Sequence, residues 1–246
     1  MAIRRFDAVV CDIDGCLAPE SSAPIDAAAL ARIAEHNRLA QERQDRPVVT
    51  LCSGRPEPFV EAMCRVIGNR TLPAIGENGV WLFHPGSNGW DRDPAITPSD
   101  LRAIGEVREW VEAELGPRGI TMQPGKAASV SLYHPDTAFL RKLEEPVRTE
   151  FEKRGWPLRV SMTWLYINCD LTHVSKGTAI ERLMRHAGLT KERLAGIGDT
   201  TGDALIAERV AWFGCPANAS EEIKRRAHYV AGGAETEGVV EILGRL

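Results

Sequence analysis

Apolar residues recur along this chain in two rhythms. Short, mostly apolar runs from Phe6 to Cys11, Pro47 to Cys52 and Leu194 to Ile197 have the length and continuity of buried strands. Other stretches follow a helical period. Ile25 to Arg43 carries apolar residues at 25, 29, 30, 33 and 34, while Phe59, Met63, Val66 and Ile67 stand at i, i+4, i+7 and i+8. Near the other end, Ile180, Leu183, Met184 and Ala187 line a helix that stops at Gly188. Further strands are expected at 194–198, 210–214 and 228–231. Strands alternating with helices at both ends predict an α/β fold with a Rossmann-like parallel sheet.

The middle of the chain has a different order. Val80 to Phe83 gives way to the turn formers Pro85 to Gly89 and then to a helix with a well-marked start, Thr97-Pro98-Ser99-Asp100. Leu101, Ile104, Val107, Val111 and Leu115 form its apolar stripe. A strand at 128–134, a helix near 136–154 and a strand at 158–168 complete a β-α-β-α-β unit. We expect residues 84–169 to be an inserted α+β domain, with 1–83 and 170–246 forming one core around it.

Composition narrows the function classes. The 246 residues hold 30 Lys and Arg against 34 Asp and Glu, a net charge of −4, which leaves no electrostatic footprint for nucleic acid or an anionic membrane. No apolar run approaches the roughly 20 residues that cross a bilayer. The opening Met-Ala-Ile-Arg-Arg-Phe-Asp lacks the apolar segment of a secretory signal, so a cytoplasmic monomer or homodimer is expected. Cysteines 11, 16, 52, 64, 169 and 215 form no CxxC pair and sit in apolar surroundings, as buried thiols do. No two histidines stand at metal-ligand spacing.

Four polar clusters punctuate strand ends and helix starts. Asp12-Ile13-Asp14-Gly15 follows the first strand, at the carboxyl edge where open α/β sheets bind ligands. One carboxylate there can attack phosphorus and its neighbour can move protons; a solvated turn is the plain alternative. Ser53-Gly54-Arg55 offers a hydroxyl and backbone N–H groups suited to a phosphate oxygen, or simply opens the next helix. Lys176 lies in the first turn of a helix capped by Ser175, an unfavourable place for a cation unless an anion is near; an ordinary exposed lysine is the plain alternative. Gly198-Asp199-Thr200-Thr201-Gly202-Asp203 brings two more carboxylates to a strand end. Four converging carboxylates repel one another unless a divalent cation such as Mg²⁺ joins them.

The combination and order of these clusters resemble the haloacid dehalogenase superfamily. Asp12-x-Asp14-Gly15, Ser53-Gly54-Arg55, Lys176 and Gly198-Asp199-x3-Asp203 look like its four motifs. The inserted unit, Gly76-Glu77-Asn78-Gly79-Val80 and Val174-Ser175-Lys176-Gly177 look like its Cof-type branch, which includes sucrose-phosphate, phosphoglycolate and mannosyl-phosphoglycerate phosphatases. The resemblance implies a Mg²⁺-dependent phosphohydrolase acting on a small phosphorylated metabolite, such as a sugar phosphate or phosphoglycolate. In it, Asp12 would be the nucleophile and Asp14 the general acid and base. Ser53, Gly54 and Lys176 would hold the phosphoryl oxygens. Asp12, Asp14 through its backbone carbonyl, Asp199 and Asp203 would bind Mg²⁺, Asp203 either directly or by supporting the loop. The inserted unit would be a substrate-selecting cap hinged near 80–85 and 168–172.

The sequence departs from the pattern at Cys16, where threonine or valine is usual, and at Gly202, where asparagine is frequent. Asp14 argues against a dehalogenase, which does not need that acid. A sugar phosphomutase would keep the same residues and is the alternative reading. A non-catalytic binding module would have shed an acid or the lysine, and none is missing. Gly125-Lys126 is not a P-loop, because Ile120 and Ala127 replace the required residues. Lys126 and His134 flank a strand of the inserted unit and are expected as solvated loop residues, the alternative being that either reaches over the active site to select the non-phosphate end of the substrate. The six tryptophans are expected to serve packing.

Overall fold

The structure is a computed structural model and describes residues 4–246. The apolar runs form a parallel sheet. Its strands are β1 (Ala8–Cys11), β2 (Val48–Leu51), β10 (Leu194–Ile197), β11 (Trp212–Cys215) and β12 (Tyr229–Val230), in the order β12-β11-β10-β1-β2. The strands are apolar on both sides because helices cover both faces. Val9 and Cys11 face α1 (Ala27–Arg43), α2 (Glu57–Val66) and α8 (Glu235–Leu243), through Leu30, Ile33, Val60 and Ile242. Ala8 and Val10 face α5 (Lys176–Ala187), α6 (Ala204–Ala207) and α7 (Glu221–Arg226), through Ile180, Leu183, Ile206 and Ile223. Chain connections leave β1 towards β2 on one side and return through β10 on the other. The end of β1 is thus the point where the winding reverses, the usual ligand site of such sheets.

Residues 80–174 share a second hydrophobic cluster. An antiparallel sheet, order β6-β7-β9-β8, is built from β6 (Thr121–Met122), β7 (Ser129–Tyr133), β8 (Leu158–Met162) and β9 (Tyr166–Leu171). Its strands alternate. Val130, Leu132, Val160, Ile167 and Cys169 pack on α3 (Pro98–Trp110) and α4 (Thr137–Arg154), while Ser131, Ser161, Tyr166 and Asn168 occupy the opposite face. The Thr97 capping box that opens α3 forms as its sequence predicts.

Two elements differ from the sequence reading. The strand expected at 158–168 is a hairpin, since Thr163-Trp164-Leu165 turns the chain between β8 and β9. A third small sheet joins β3 (Ala74–Gly76), β4 (Trp81–His84) and β5 (Gly89–Arg92), the last in a stretch read as leading straight to a helix. β3 also touches β2 in parallel, Cys52 opposite Ile75. All six cysteines are buried and free. Among the described residues, no helix is long and apolar enough to cross a membrane.

Candidate active site

Asp12 is held as β1 ends, its N–H donating to the Ile197 carbonyl of β10 at 3.0 Å. The chain then turns tightly, with Ile13 O accepting from the N–H groups of Cys16, Leu17 and Ala18. Gly15 makes the turn possible at φ +72°, and a methyl group on it would lie 2.0 Å from Asp199 Oδ2. Only a residue without a side chain lets the β10 loop come this close. Cys16 is fully buried behind this turn.

The remaining clusters converge on the same edge. Ser53 is fully buried, its Oγ accepting from Arg55 N at 3.1 Å. Lys176, at the start of α5, donates from Nζ to Asp203 Oδ1 at 2.7 Å and lies 3.0 Å from Asp12 Oδ1. The Asp12 contact pairs charges off the line of a hydrogen bond. Asp203 is completely enclosed and has both oxygens engaged, Oδ2 accepting from the N–H groups of Asp199 and Thr200 at 3.0 Å each. It pins the loop that carries Asp199.

Two buried carboxylate oxygens, Asp12 Oδ1 and Asp199 Oδ1, have no hydrogen-bond partner among the described residues. Burial, and the nearby charge of Asp203, push the Asp12 carboxyl up to about 8 against the pull of Lys176. The same two causes, with Asp12 added, push Asp199 to about 9. Burial opposes the charge on Lys176, yet Asp12 and Asp203 hold its ammonium well above the usual range. Oxygens of Asp12, Asp199 and Asp203 lie within 4.8 Å of one another. Two unpartnered, hard carboxylate oxygens beside a third carboxylate fit a divalent cation such as Mg²⁺.

Asp14 stands on the cavity side of this cluster. Arg55 holds it, Nε lying 2.9 Å from both carboxylate oxygens. The sequence assigned Arg55 no role of its own, although it closes the second cluster. Three other contacts from the inserted unit have no local sequence signal, because each partner is 50 or more residues away. The buried Glu77 carboxylate accepts from the N–H groups of Ala127 and Ala128, at 2.9 and 2.8 Å, and from Ser129 Oγ at 2.8 Å. Asn78 donates to Asp170. Glu20 accepts from Thr163 Oγ and from Trp164 N on the β8–β9 turn, and burial raises its carboxyl above the ordinary range.

Lys126 is not a solvated loop residue. It is buried, Nζ donating to Gly54 O at 2.6 Å, and burial lowers its pKa against the opposing pull of Asp170 and Glu77. The Gly125 turn carries it under the inserted sheet, so a loop position in sequence becomes an interior one. His134 packs against Phe139 instead, away from the cavity. The cavity of about 110 Å³ lies between Asp12, Asp14, Lys176 and Asp199 on one side and Gln123, Lys126, Ser161, Tyr166 and Asn168 on the other. Trp164 contributes to its rim, the one tryptophan among the described residues to do so.

Known proteins are similar to this chain in sequence and in fold. The sequence model of the haloacid dehalogenase-like hydrolases matches residues 124–243. The phosphoglycolate phosphatase of Methanospirillum hungatei is 28% identical over 96% of this chain and 94% of its own. That of Thermoplasma volcanium is 28% identical over 95% of each chain. In fold, a crystal structure of Thermoplasma acidophilum protein 0175 matches with a TM-score of 0.74 at 20% identity, over 98% of this chain and 97% of its own. A haloacid dehalogenase-like hydrolase from Bacteroides thetaiotaomicron matches with a TM-score of 0.74 at 16% identity, over 98% and 99%. In sequence over residues 124–243, and in fold over nearly the whole chain, the protein is similar to the haloacid dehalogenase-like hydrolases, and its phosphatase-named relatives support a phosphatase.

Proposed function

We propose that the protein is a Mg²⁺-dependent phosphatase that cleaves small phosphate monoesters through an aspartyl phosphate on Asp12, with phosphoglycolate the first candidate substrate. The observation that carries this reading is the buried pair of unpartnered oxygens, Asp12 Oδ1 and Asp199 Oδ1, beside Lys176 at the floor of the cavity. The cavity is well below the roughly 300 Å³ at which drug-sized ligand sites begin, which favours a substrate of a few heavy atoms. Relatives named phosphoglycolate phosphatase point the same way.

Asp12, Asp199 and the Asp14 backbone carbonyl would hold the cation, with Asp203 fixing the loop. Bound there, Mg²⁺ would neutralise the facing carboxylates and polarise the phosphoryl group. Asp12 attacks phosphorus as the ester P–O bond breaks. The departing oxygen takes a proton from Asp14, which then removes one from the water that cleaves the acyl phosphate and releases inorganic phosphate. Lys176, Ser53 Oγ and the Gly54 N–H stabilise the charge on the phosphoryl oxygens. Residues 84–169 act as the cap over the core of 4–83 and 170–246, presenting the polar face of the antiparallel sheet to the rest of the substrate.

The test is phosphate release from phosphoglycolate, sugar phosphates and an aryl phosphate, with and without Mg²⁺, beside Asp12→Asn. Mg²⁺-dependent release that Asp12→Asn abolishes is the expected result. Isomerised sugar phosphate without free phosphate would overturn it in favour of a phosphomutase, and activity surviving Asp12→Asn would remove the aspartyl phosphate.

A further inference from the structure

Three side chains gather at an outer corner of the core, apart from the cavity. His84 ends β4, Asp91 lies diagonally opposite it on β5, and His186 lies in the last turn of α5. His84 Nε2 is 2.8 Å from Asp91 Oδ2, and the two imidazole rings are 5.1 Å apart. One ligand atom from each of the three lies within 4.8 Å of the other two. None of them lines the active-site cavity.

We propose that His84, Asp91 and His186 bind a divalent transition-metal ion of the zinc class. Two imidazole nitrogens and one carboxylate oxygen are a donor set for Zn²⁺, Co²⁺ or Ni²⁺, not for Mg²⁺, which prefers oxygen and near-ideal octahedral geometry. In a tetrahedral zinc site, bonds of about 2.0 Å put ligand atoms about 3.4 Å apart. Reaching that spacing requires only small side-chain rotations, and Asp91 and His186 are exposed. The ion takes the place of the contact between His84 Nε2 and Asp91 Oδ2, and a water from solvent completes its shell.

The electrostatics of the corner have two sides. The carbonyl end of α5 favours a cation beside His186. Arg92, Arg182 and Arg185 line the neighbouring cavity and oppose one. Arg182 is already matched, with Nη1 at 3.1 Å from Asp93 and both terminal nitrogens donating to backbone carbonyls. The other two are at the surface, where solvent screens them. The bound ion would tie the β4–β5 hairpin to the far end of the helix that presents Lys176. Sequence spacing hides the site because its ligands stand at 84, 91 and 186.

The experiment uses the full chain in saturating Mg²⁺, titrated with Zn²⁺ by calorimetry and followed by thermal unfolding. Wild type is expected to bind one Zn²⁺ and to gain thermal stability as Zn²⁺ rises. In His186→Ala, and in the nearly isosteric Asp91→Asn, that affinity falls by more than about tenfold and the stabilisation disappears, with phosphatase activity in Mg²⁺ unchanged. Equal Zn²⁺ binding in wild type and both variants would overturn the proposal. So would loss of the Zn²⁺ signal in Asp199→Asn, which would assign the ion to the active site instead.

Discussion

Arg55 grips both carboxylate oxygens of Asp14, with Nε 2.9 Å from each and Nη2 2.5 Å from Oδ1. A forked guanidinium fixes a carboxylate in plane as well as in place, which a lysine ammonium cannot do. Arg55 also donates to the Glu20 carbonyl and lies over the Phe59 ring, so its own position is set on three sides. If Asp14 moves the protons, its aim depends on this grip. Arg55→Lys should lower kcat about 10- to 100-fold, the scale of a misplaced catalytic group, with a smaller effect on KM. The loss should be smaller for an aryl phosphate, whose phenolate leaves without a proton. Steady-state kinetics on both substrates check this, and equal losses would place Arg55 outside proton transfer.

Gly15 sets how closely the two acidic loops approach. A methyl group there would strike Asp199 Oδ2 at 2.0 Å, and the residue would also be strained at φ +72°. Gly15→Ala should destabilise the fold by about 1 to 3 kcal/mol, the scale of a forced left-handed residue. It should also weaken Mg²⁺ binding, because Asp199 must swing away. Chemical denaturation and Mg²⁺ titration measure the two effects separately.

Much of this was legible in the sequence, and the reason differs by element. The runs at Ala8–Cys11 and Leu194–Ile197 are apolar on both sides, which only a doubly covered strand needs, so the parallel core could be read directly. Asp12, Ser53, Lys176 and Asp199 were legible because each follows a strand or opens a helix, and the sheet brings those ends to one edge. The β8–β9 hairpin was missed because Thr163-Trp164-Leu165 contains neither glycine nor proline to mark a turn. Glu77, Glu20 and Lys126 were beyond local reading. Their partners lie 50, 143 and 72 residues away, and nothing in their neighbours foretells the contact.

Glu77 is the strongest link between core and inserted unit. Its buried carboxylate accepts four hydrogen bonds at 2.8 to 2.9 Å, two of them from Ala127 N. Glu77→Gln would turn part of this acceptor into a donor facing other donors. Each donor left unmade costs about 1 to 3 kcal/mol, so stability should fall and the start of β7 should loosen. Hydrogen exchange at residues 126–129 should rise well before exchange in β1 does. Uniform change across the chain would argue that Glu77 serves the fold as a whole and not this junction.

Lys126 reaches from the inserted unit to the loop of Ser53 and Gly54, and its ammonium gives one hydrogen to Gly54 O while facing the cavity. A substrate carboxylate beside the phosphate would meet the remaining charge. Lys126→Met keeps length and apolar packing but removes that charge. KM for phosphoglycolate should rise by about tenfold or more, the scale of a lost hydrogen bond to a charged group, while KM for an aryl phosphate, whose aryl group carries no charge, changes little. Parallel rises for both would mean that Lys126 supports the phosphate loop and does not select substrate.

Metal removal and pH act on the same carboxylates. In the metal-free chain Asp12 is raised to about 8 and Asp199 to about 9, chiefly by burial, against about 4 in the unfolded chain. Between those values the native state holds more protons than the unfolded state, so stability falls as pH rises. It is complete below pH about 4 for these two groups and is lost progressively as pH climbs through 8 and 9. The raised pKa of Lys176 acts in the same direction, since its advantage also goes as the ammonium loses its proton at high pH. Mg²⁺ binds the ionised carboxylates and displaces their protons, so saturating Mg²⁺ should stabilise the protein more at pH 9 than at pH 6. Melting temperatures from pH 5 to 9, with EDTA and with Mg²⁺, should therefore diverge with rising pH. Curves that stay parallel would mean that the cation does not bind at Asp12 and Asp199. In Asp199→Asn the fall with pH in EDTA should become shallower, and the extra stabilisation by Mg²⁺ at high pH should shrink with it.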